Sequence, residues 1–138
     1  MKAGFIPYII RNGIPYFMFM VSSNSDFGGS APAIAKGHMD NGESAIAAAI
    51  REVREELGLK LDNVKQETIR RVWDADIKGA KKTYNMTIFM GEIFDLDNFD
   101  MHDDETLYTV WLSESDFAEI GRVAHREIVK LAADILRY

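Results

Sequence analysis

The 138-residue chain predicts an α/β fold in which a mixed β-sheet is held between helices, in three layers (α/β/α). Three observations carry that expectation. Runs of β-type residues lie on both sides of a central amphipathic helix over 44–57. A second amphipathic segment covers 124–137. Strand-to-strand turn signals stand at Asn12-Gly13 and over 78–81. No internal repeat, linker or low-complexity stretch divides the sequence, so 1–138 reads as one domain.

Taken in order, residues 4–11 and 14–21 are rich in aromatic and β-branched types. They flank Asn12-Gly13, a dipeptide suited to the positive-φ positions of a two-residue hairpin. Residues 22–32 are polar and glycine-containing and read as a loop; 33–38 is expected as a short strand and turn. Over 44–57, Ile46, Ile50, Val53 and Leu57 recur at i, i+4, i+7 and i+11, forming one apolar stripe. Gly58 follows where a left-handed glycine ends a helix. Two further β-type runs, 67–76 and 82–94, are joined by the turn Lys78-Gly79-Ala80-Lys81. The acidic stretch 95–105 reads as loop and 106–112 as a short strand. Ser113 or Ser115 caps a brief helix, and the last helix places Ile128, Leu131, Ala132, Ile135 and Leu136 on one side.

Composition narrows the function classes. The chain is 47% hydrophobic and 28% charged, ordinary globular material. It has no cysteine, which excludes disulfides, zinc–thiolate sites and thiol nucleophiles and is compatible with a reducing compartment. The N-terminal apolar stretch is broken by Pro7, Arg11 and Asn12-Gly13, so it reads as a strand and not a signal peptide. No run approaches the roughly 20 apolar residues that span a bilayer. A cytoplasmic protein with no membrane partner is therefore expected. The net charge of −6 argues against a broad nucleic-acid surface but is compatible with a small anionic substrate, because cations bound to acidic side chains present positive charge to phosphate.

The chemistry is concentrated over 37–59. Gly37 is followed by five residues, Glu43, seven more, then Arg51-Glu52-Val53-Arg54-Glu55-Glu56 and Gly58-Leu59. At helical spacing Glu52, Glu55 and Glu56 share one face, opposite much of the apolar stripe. Three neighbouring carboxylates repel one another, and near the C-terminal end of a helix the dipole does not help them. A hard divalent cation satisfies such oxygen ligands: Mg²⁺ first, with Mn²⁺ as a substitute. Arg51 is placed to pair with one of these carboxylates or with Glu43 across the turn. An isolated R-E-x-x-E-E would be read as a solvated charged face. Gly37, Glu43 and Gly58 in register decide against that reading.

This 23-residue stretch matches, at every specified position, the box of the Nudix hydrolases, G-x5-E-x7-R-E-U-x-E-E-x-G-U with U a bulky aliphatic residue. The chain is identified as a member of that family. The resemblance implies a loop–helix–loop that binds divalent ions and a pyrophosphate, and attack of water on one phosphorus to give two phosphate-bearing fragments. Carried over, it makes Glu52, Glu55 and Glu56 metal ligands and brings the Gly37 backbone to the metal–phosphate cluster. Glu52 is the favoured base, Glu55 and Arg51 complete the catalytic set in the box, and Glu43 and Gly58 are structural.

Outside the box, Lys36-Gly37-His38 resembles the P-K-G-H sequence of dinucleoside polyphosphate hydrolases, with Ala35 in place of the proline. That likeness implies a phosphate contact for Lys36 and a substrate-side position for His38. Residues 83–87, followed by Asp104-Glu105 and Tyr108 before Trp111, resemble the downstream half of the same group. Glu105 is then a further catalytic or metal-binding carboxylate, and Tyr84, like Trp73, a platform for a nucleobase. No proline follows Pro32, so the downstream proline of ADP-ribose hydrolases is missing. The expectation is a Mg²⁺-dependent pyrophosphohydrolase of a nucleoside-containing polyphosphate, leaning to dinucleoside polyphosphates such as diadenosine tetraphosphate. RNA 5′ ends and (d)NTP sanitation are the alternatives, and a catalytically silent nucleotide-binding module the distant one. Oligomeric state is not readable. Residues 95–100 mimic the start of a calcium loop, but Asp100 stands where its glycine belongs. His102 and His125 are expected at the surface.

Overall fold

A computed structural model describes residues 1–22, 31–79, 81–94 and 106–137, with the side chains of residues 106 and 107 outside the description. In chain order the elements are β1 (Lys2–Arg11), β2 (Ile14–Ser22), β3 (Ala35–His38), α1 (Ala45–Leu57), β4 (Arg70–Lys78), β5 (Thr83–Glu92), β6 (Thr106–Ser113), α2 (Glu114–Ile120) and α3 (Arg126–Leu136). Asn12 and Gly13 both take positive φ (53° and 77°), the geometry of the tight β1–β2 turn.

The strands form one sheet in the order β4-β5-β1-β2-β6, with β3 paired to β1 off that path. β1 runs parallel to β5 and antiparallel to β2 and β3, so the sheet is mixed. β1 changes partner along its length. Its C-terminal half pairs with β2 (Tyr8↔Phe17), while its N-terminal half pairs with β3 (Gly4↔Lys36). β3 is thereby wedged where β1 and β2 part, and an isolated bridge between Met20 and Ala33 ties it to β2.

Strand alternation divides the apolar residues into two layers. Ala3, Phe5, Ile9, Met18 and Met20 pack with Ala48, Ala49, Val53 and Leu57 of α1. Ile6, Tyr8, Phe17 and Phe19 face the other way, toward Phe117 of α2 and Ile128, Val129, Ala132 and Ala133 of α3. Phe117 stacks on Phe19 with ring centroids 4.1 Å apart. Helices thus cover both faces of the mixed sheet, the three-layer arrangement expected from sequence.

Three details differ from that expectation. On α1 the buried residues are Ala48, Ala49, Glu52, Val53, Glu56 and Leu57, whereas Ile46 and Ile50 are only half-buried. Glu52 and Glu56 therefore belong to the packed side and do not oppose it; the two alanines let the helix approach the sheet through that arc. On α3, Val129 and Ala133 are buried with Ile128 and Ala132, while Leu131 remains 38% exposed. Two branched residues and two alanines set the docking face, with Ile135 and Leu136 packed beside them. His125 is fully buried instead of lying at the surface: its Nδ1 accepts the Ile34 N–H at 3.1 Å.

Candidate active site

The loop before α1 and the helix are fixed by local bonds. Ser44 caps α1 by accepting the Ala47 N–H, and Gly58, in the left-handed region at φ 72°, ends it by donating to the Arg54 carbonyl. Arg51 is the hub between them. Its Nε and Nη2 clamp the two Glu43 oxygens at 2.9 and 3.0 Å, and Nη1 reaches Glu52 at 2.8 Å and Glu55 at 3.5 Å. Nη2 also donates to the His38 carbonyl at 2.9 Å. Both pairings left open by the sequence are realised together. The Arg51 guanidinium, helped by the Asp40 N–H, holds the Glu43 carboxyl at a pKa of about 2, and Glu43 in turn raises that of Arg51.

β3 meets α1 through two contacts. The Lys36 N–H donates to Glu56 Oε2 at 2.9 Å. At Gly37 an added Cβ would collide with the Glu52 carboxylate, so only glycine leaves that side chain where it stands. The close approach that the structure shows at Gly37 is to a protein carboxylate.

A cleft of about 530 Å³ opens over this junction, lined by Glu52, Glu55 and Glu56 of α1 and by Lys36, Gly37 and His38 of β3. Glu52 and Glu56 are buried at its base, while the Glu55 side chain is 48% exposed. Among the described residues no three carboxylate or imidazole groups converge on a common point. Arg51 and the Lys36 amide hold the carboxylates instead. As hard oxygen donors lining one cleft, the three glutamates fit Mg²⁺ or Mn²⁺ by their chemistry.

Sequence reasoning missed two cations. Lys2, at the start of β1, and Arg122, between α2 and α3, line the same cleft. Burial first, and then the charges of Lys2 and Arg122, lower the pKa of Lys36 to about 8. Burial likewise lowers the pKa of Lys2 and of Arg122. Tyr84 backs this group and does not line the cleft: the Lys2 ammonium lies 4.3 Å from its ring centroid. His38 is exposed, and its pKa is lowered first by desolvation and then by Lys2. Asp40, to which the sequence assigned no chemistry, lines the cleft and steadies Glu43 through its amide. Glu105 lies outside the described residues, as do His102 and the loop 95–105.

A family model for the NUDIX domain matches residues 8–132. The chain belongs to the Nudix family. It is with that family a hydrolase of phosphoanhydride bonds. Solved structures share this Nudix fold at low sequence identity. The Caenorhabditis elegans Ap4A hydrolase, solved as a binary complex, has a TM-score of 0.78 and 20% identity, covering 98% of this chain and 96% of that one. A Nudix hydrolase from M. Smegmatis, RenU, has a TM-score of 0.78 and 17% identity, over 99% and 87% of the chains. The NUDIX domain of Shewanella oneidensis NrtR, complexed with ADP ribose, has a TM-score of 0.78 and 11% identity, over 98% and 86%. These likenesses speak for the fold. No curated protein matches the chain. Among the described residues no helix is long and apolar enough to cross a membrane.

Proposed function

We propose that this Nudix protein is a Mg²⁺-dependent pyrophosphohydrolase of nucleoside-containing polyphosphates, acting on soluble cytoplasmic nucleotides and favouring dinucleoside polyphosphates. The observation that carries this reading is the two-sided cleft: Glu52, Glu55 and Glu56 on the α1 side, Lys36 and its cationic neighbours on the other. A polyphosphate needs both, since its negative charge must be met by bound cations on the acidic side and by ammonium and guanidinium groups elsewhere.

In this reading Glu52, Glu55 and Glu56 hold the divalent ion. When bound, that ion polarises phosphoryl oxygens and lowers the pKa of water. The chain's own residues do the rest. Arg51 fixes the Glu52 carboxylate at 2.8 Å, and Glu43 fixes Arg51. A glutamate of this set, Glu52 by preference, takes the proton of the attacking water. A new P–O bond forms as the bond to the bridging oxygen breaks, and the departing phosphate carries that oxygen away. Lys36 neutralises phosphate charge as a point cation, and Gly37 keeps the space over Glu52 clear. Support for dinucleoside polyphosphates over (d)NTPs or RNA 5′ ends comes from Lys36-Gly37-His38 and from the shared fold with the Ap4A hydrolase.

Product analysis in ¹⁸O-water tests the proposal. Diadenosine tetraphosphate should give ATP and AMP, with label in one product, only when Mg²⁺ or Mn²⁺ is supplied. Release of pyrophosphate from NTPs at higher kcat/KM would move the assignment to sanitation. Glu55→Gln should abolish turnover at an unchanged Tm, because its side chain is half exposed and anchors no core. Full turnover by that variant would remove Glu55 from the site.

A further inference from the structure

Lys2, Lys36 and Arg122 come from three separate elements yet line one cleft. Their convergence is built into the fold. In the antiparallel β1–β3 pairing Lys2 stands opposite His38 and Gly4 opposite Lys36, which sets Lys2 and Lys36 diagonally on one face. Glycine at position 4 makes this possible, since a Cβ there would approach the Lys36 Cβ to 2.8 Å and the Ala35 carbonyl to 2.5 Å. Tyr84 then supports Lys2 at 4.3 Å, with the Lys36 ammonium 6.0 Å from the same ring. Arg122 is delivered from the other side. Its N–H donates to the Pro32 carbonyl at 2.8 Å, its carbonyl accepts the His125 N–H at 3.0 Å, and His125 returns to the Ile34 N–H. The α2–α3 connection is thus stitched to the segment that leads into β3.

Three like charges half-buried together repel one another. Desolvation first and then cationic neighbours, Lys82 and Arg122 for Lys2 and Lys2 and Arg122 for Lys36, lower the pKa of both lysines, and Glu56 offsets this only in part. An anion with several charged oxygens relieves the repulsion.

We propose that Lys2 and Arg122, together with Lys36, form a metal-independent grip for the phosphates beyond those held on the acidic side, and so select chains of three or more consecutive phosphates. The selection rests on the hydrolase reading above; the grip itself does not. A diphosphate diester such as ADP-ribose has too few anionic oxygens to occupy both sides at once.

The grip is tested first without catalysis, by calorimetric binding of inorganic tripolyphosphate to the whole chain in EDTA. Lys2→Met and Arg122→Gln remove charge while keeping much of the packing, Lys2→Met preserving the stem on Tyr84. Each should weaken binding by about 10-fold or more, the range for one charge-assisted hydrogen bond, with Tm unchanged. The same variants should lower the ratio of kcat/KM for diadenosine tetraphosphate to that for ADP-ribose by a similar factor. Tripolyphosphate that fails to bind, or binds the double variant as tightly as the native chain, overturns the grip. An unchanged kcat/KM ratio overturns the selection. A chain that grips tripolyphosphate through these residues but hydrolyses no nucleotide upholds the grip and refutes the hydrolytic reading alone.

Discussion

Gly37→Ala separates the stability of this fold from its chemistry. Gly37 does not lie among the positive-φ glycines, so alanine meets no backbone strain and should gain a few tenths of a kcal/mol from a stiffer unfolded chain. The obstacle is the Glu52 carboxylate, where the new Cβ would lie 2.5 Å from Oε2 and closer still to Cδ and Oε1. Ordinary contact is about 3.5 Å, so the carboxylate must retreat by roughly 1 Å or more. The far end of a flexible side chain can do so, provided it gives up Arg51 Nη1 at 2.8 Å. That ion pair is partly solvated, the two side chains being 26% and 11% exposed, so its loss costs about 1 kcal/mol at most. Net destabilisation of about 1 kcal/mol corresponds to a few degrees in Tm. A 1 Å displacement of a catalytic or metal-holding carboxylate costs about 100-fold in rate. Calorimetry beside steady-state hydrolysis of diadenosine tetraphosphate therefore should show a near-native Tm with kcat/KM down about 100-fold. Native activity would mean that Glu52 is not needed where it stands. A Tm loss above about 10 °C would mean that Gly37 serves packing and not the site.

Two further outcomes follow from the buried framework and its titrating groups. Phe117→Ala, which empties the stacked position on Phe19, should cost about 3–5 kcal/mol and lower Tm by roughly 10–15 °C in thermal melts. Acid should weaken the fold in two stages of a urea-midpoint titration. Burial holds His125 well below its ordinary 6.5, so the unfolded chain gains a proton that the native one refuses, and stability falls as pH drops from about 6.5. Glu43, held at about 2 against an ordinary 4.5, adds stability that is present above pH 4.5 and lost as pH falls toward 2. Glu43→Gln should flatten the lower stage only. A midpoint that is constant from pH 7.5 to 5 would contradict the neutral, buried His125.

What could be read from sequence, and what could not, follows from the range of the interactions involved. Gly58, Ser44, Glu43 and Arg51 act on neighbours within one or two helical turns, so their spacing nearly determines their geometry. The face of α1 does not follow from hydrophobicity in the same way. Ile46 and Ile50 outweigh Ala48 and Ala49 in any apolar count, yet the alanines are small enough to seat the helix, and their arc carries Glu52 and Glu56 into the cleft. His125 was misjudged for a related reason: its role is to accept an amide N–H 91 residues away.

Lys2 and Arg122 have no motif at all, because they meet only through the β1–β3 pairing and the bond from Arg122 to Pro32. That has a consequence for reading charge. A net −6 describes the chain and not its cleft, where cations from β1, β3 and the α2–α3 connection face three glutamates of one helix. The carboxylates come from one contiguous segment because a helical repeat can supply them. The cations are drawn from distant segments because packing at the split between β1 and β2 brings those segments together. If the proposed grip selects the substrate, Lys2 and Arg122 add to Lys36 a contribution that a local pattern does not reach.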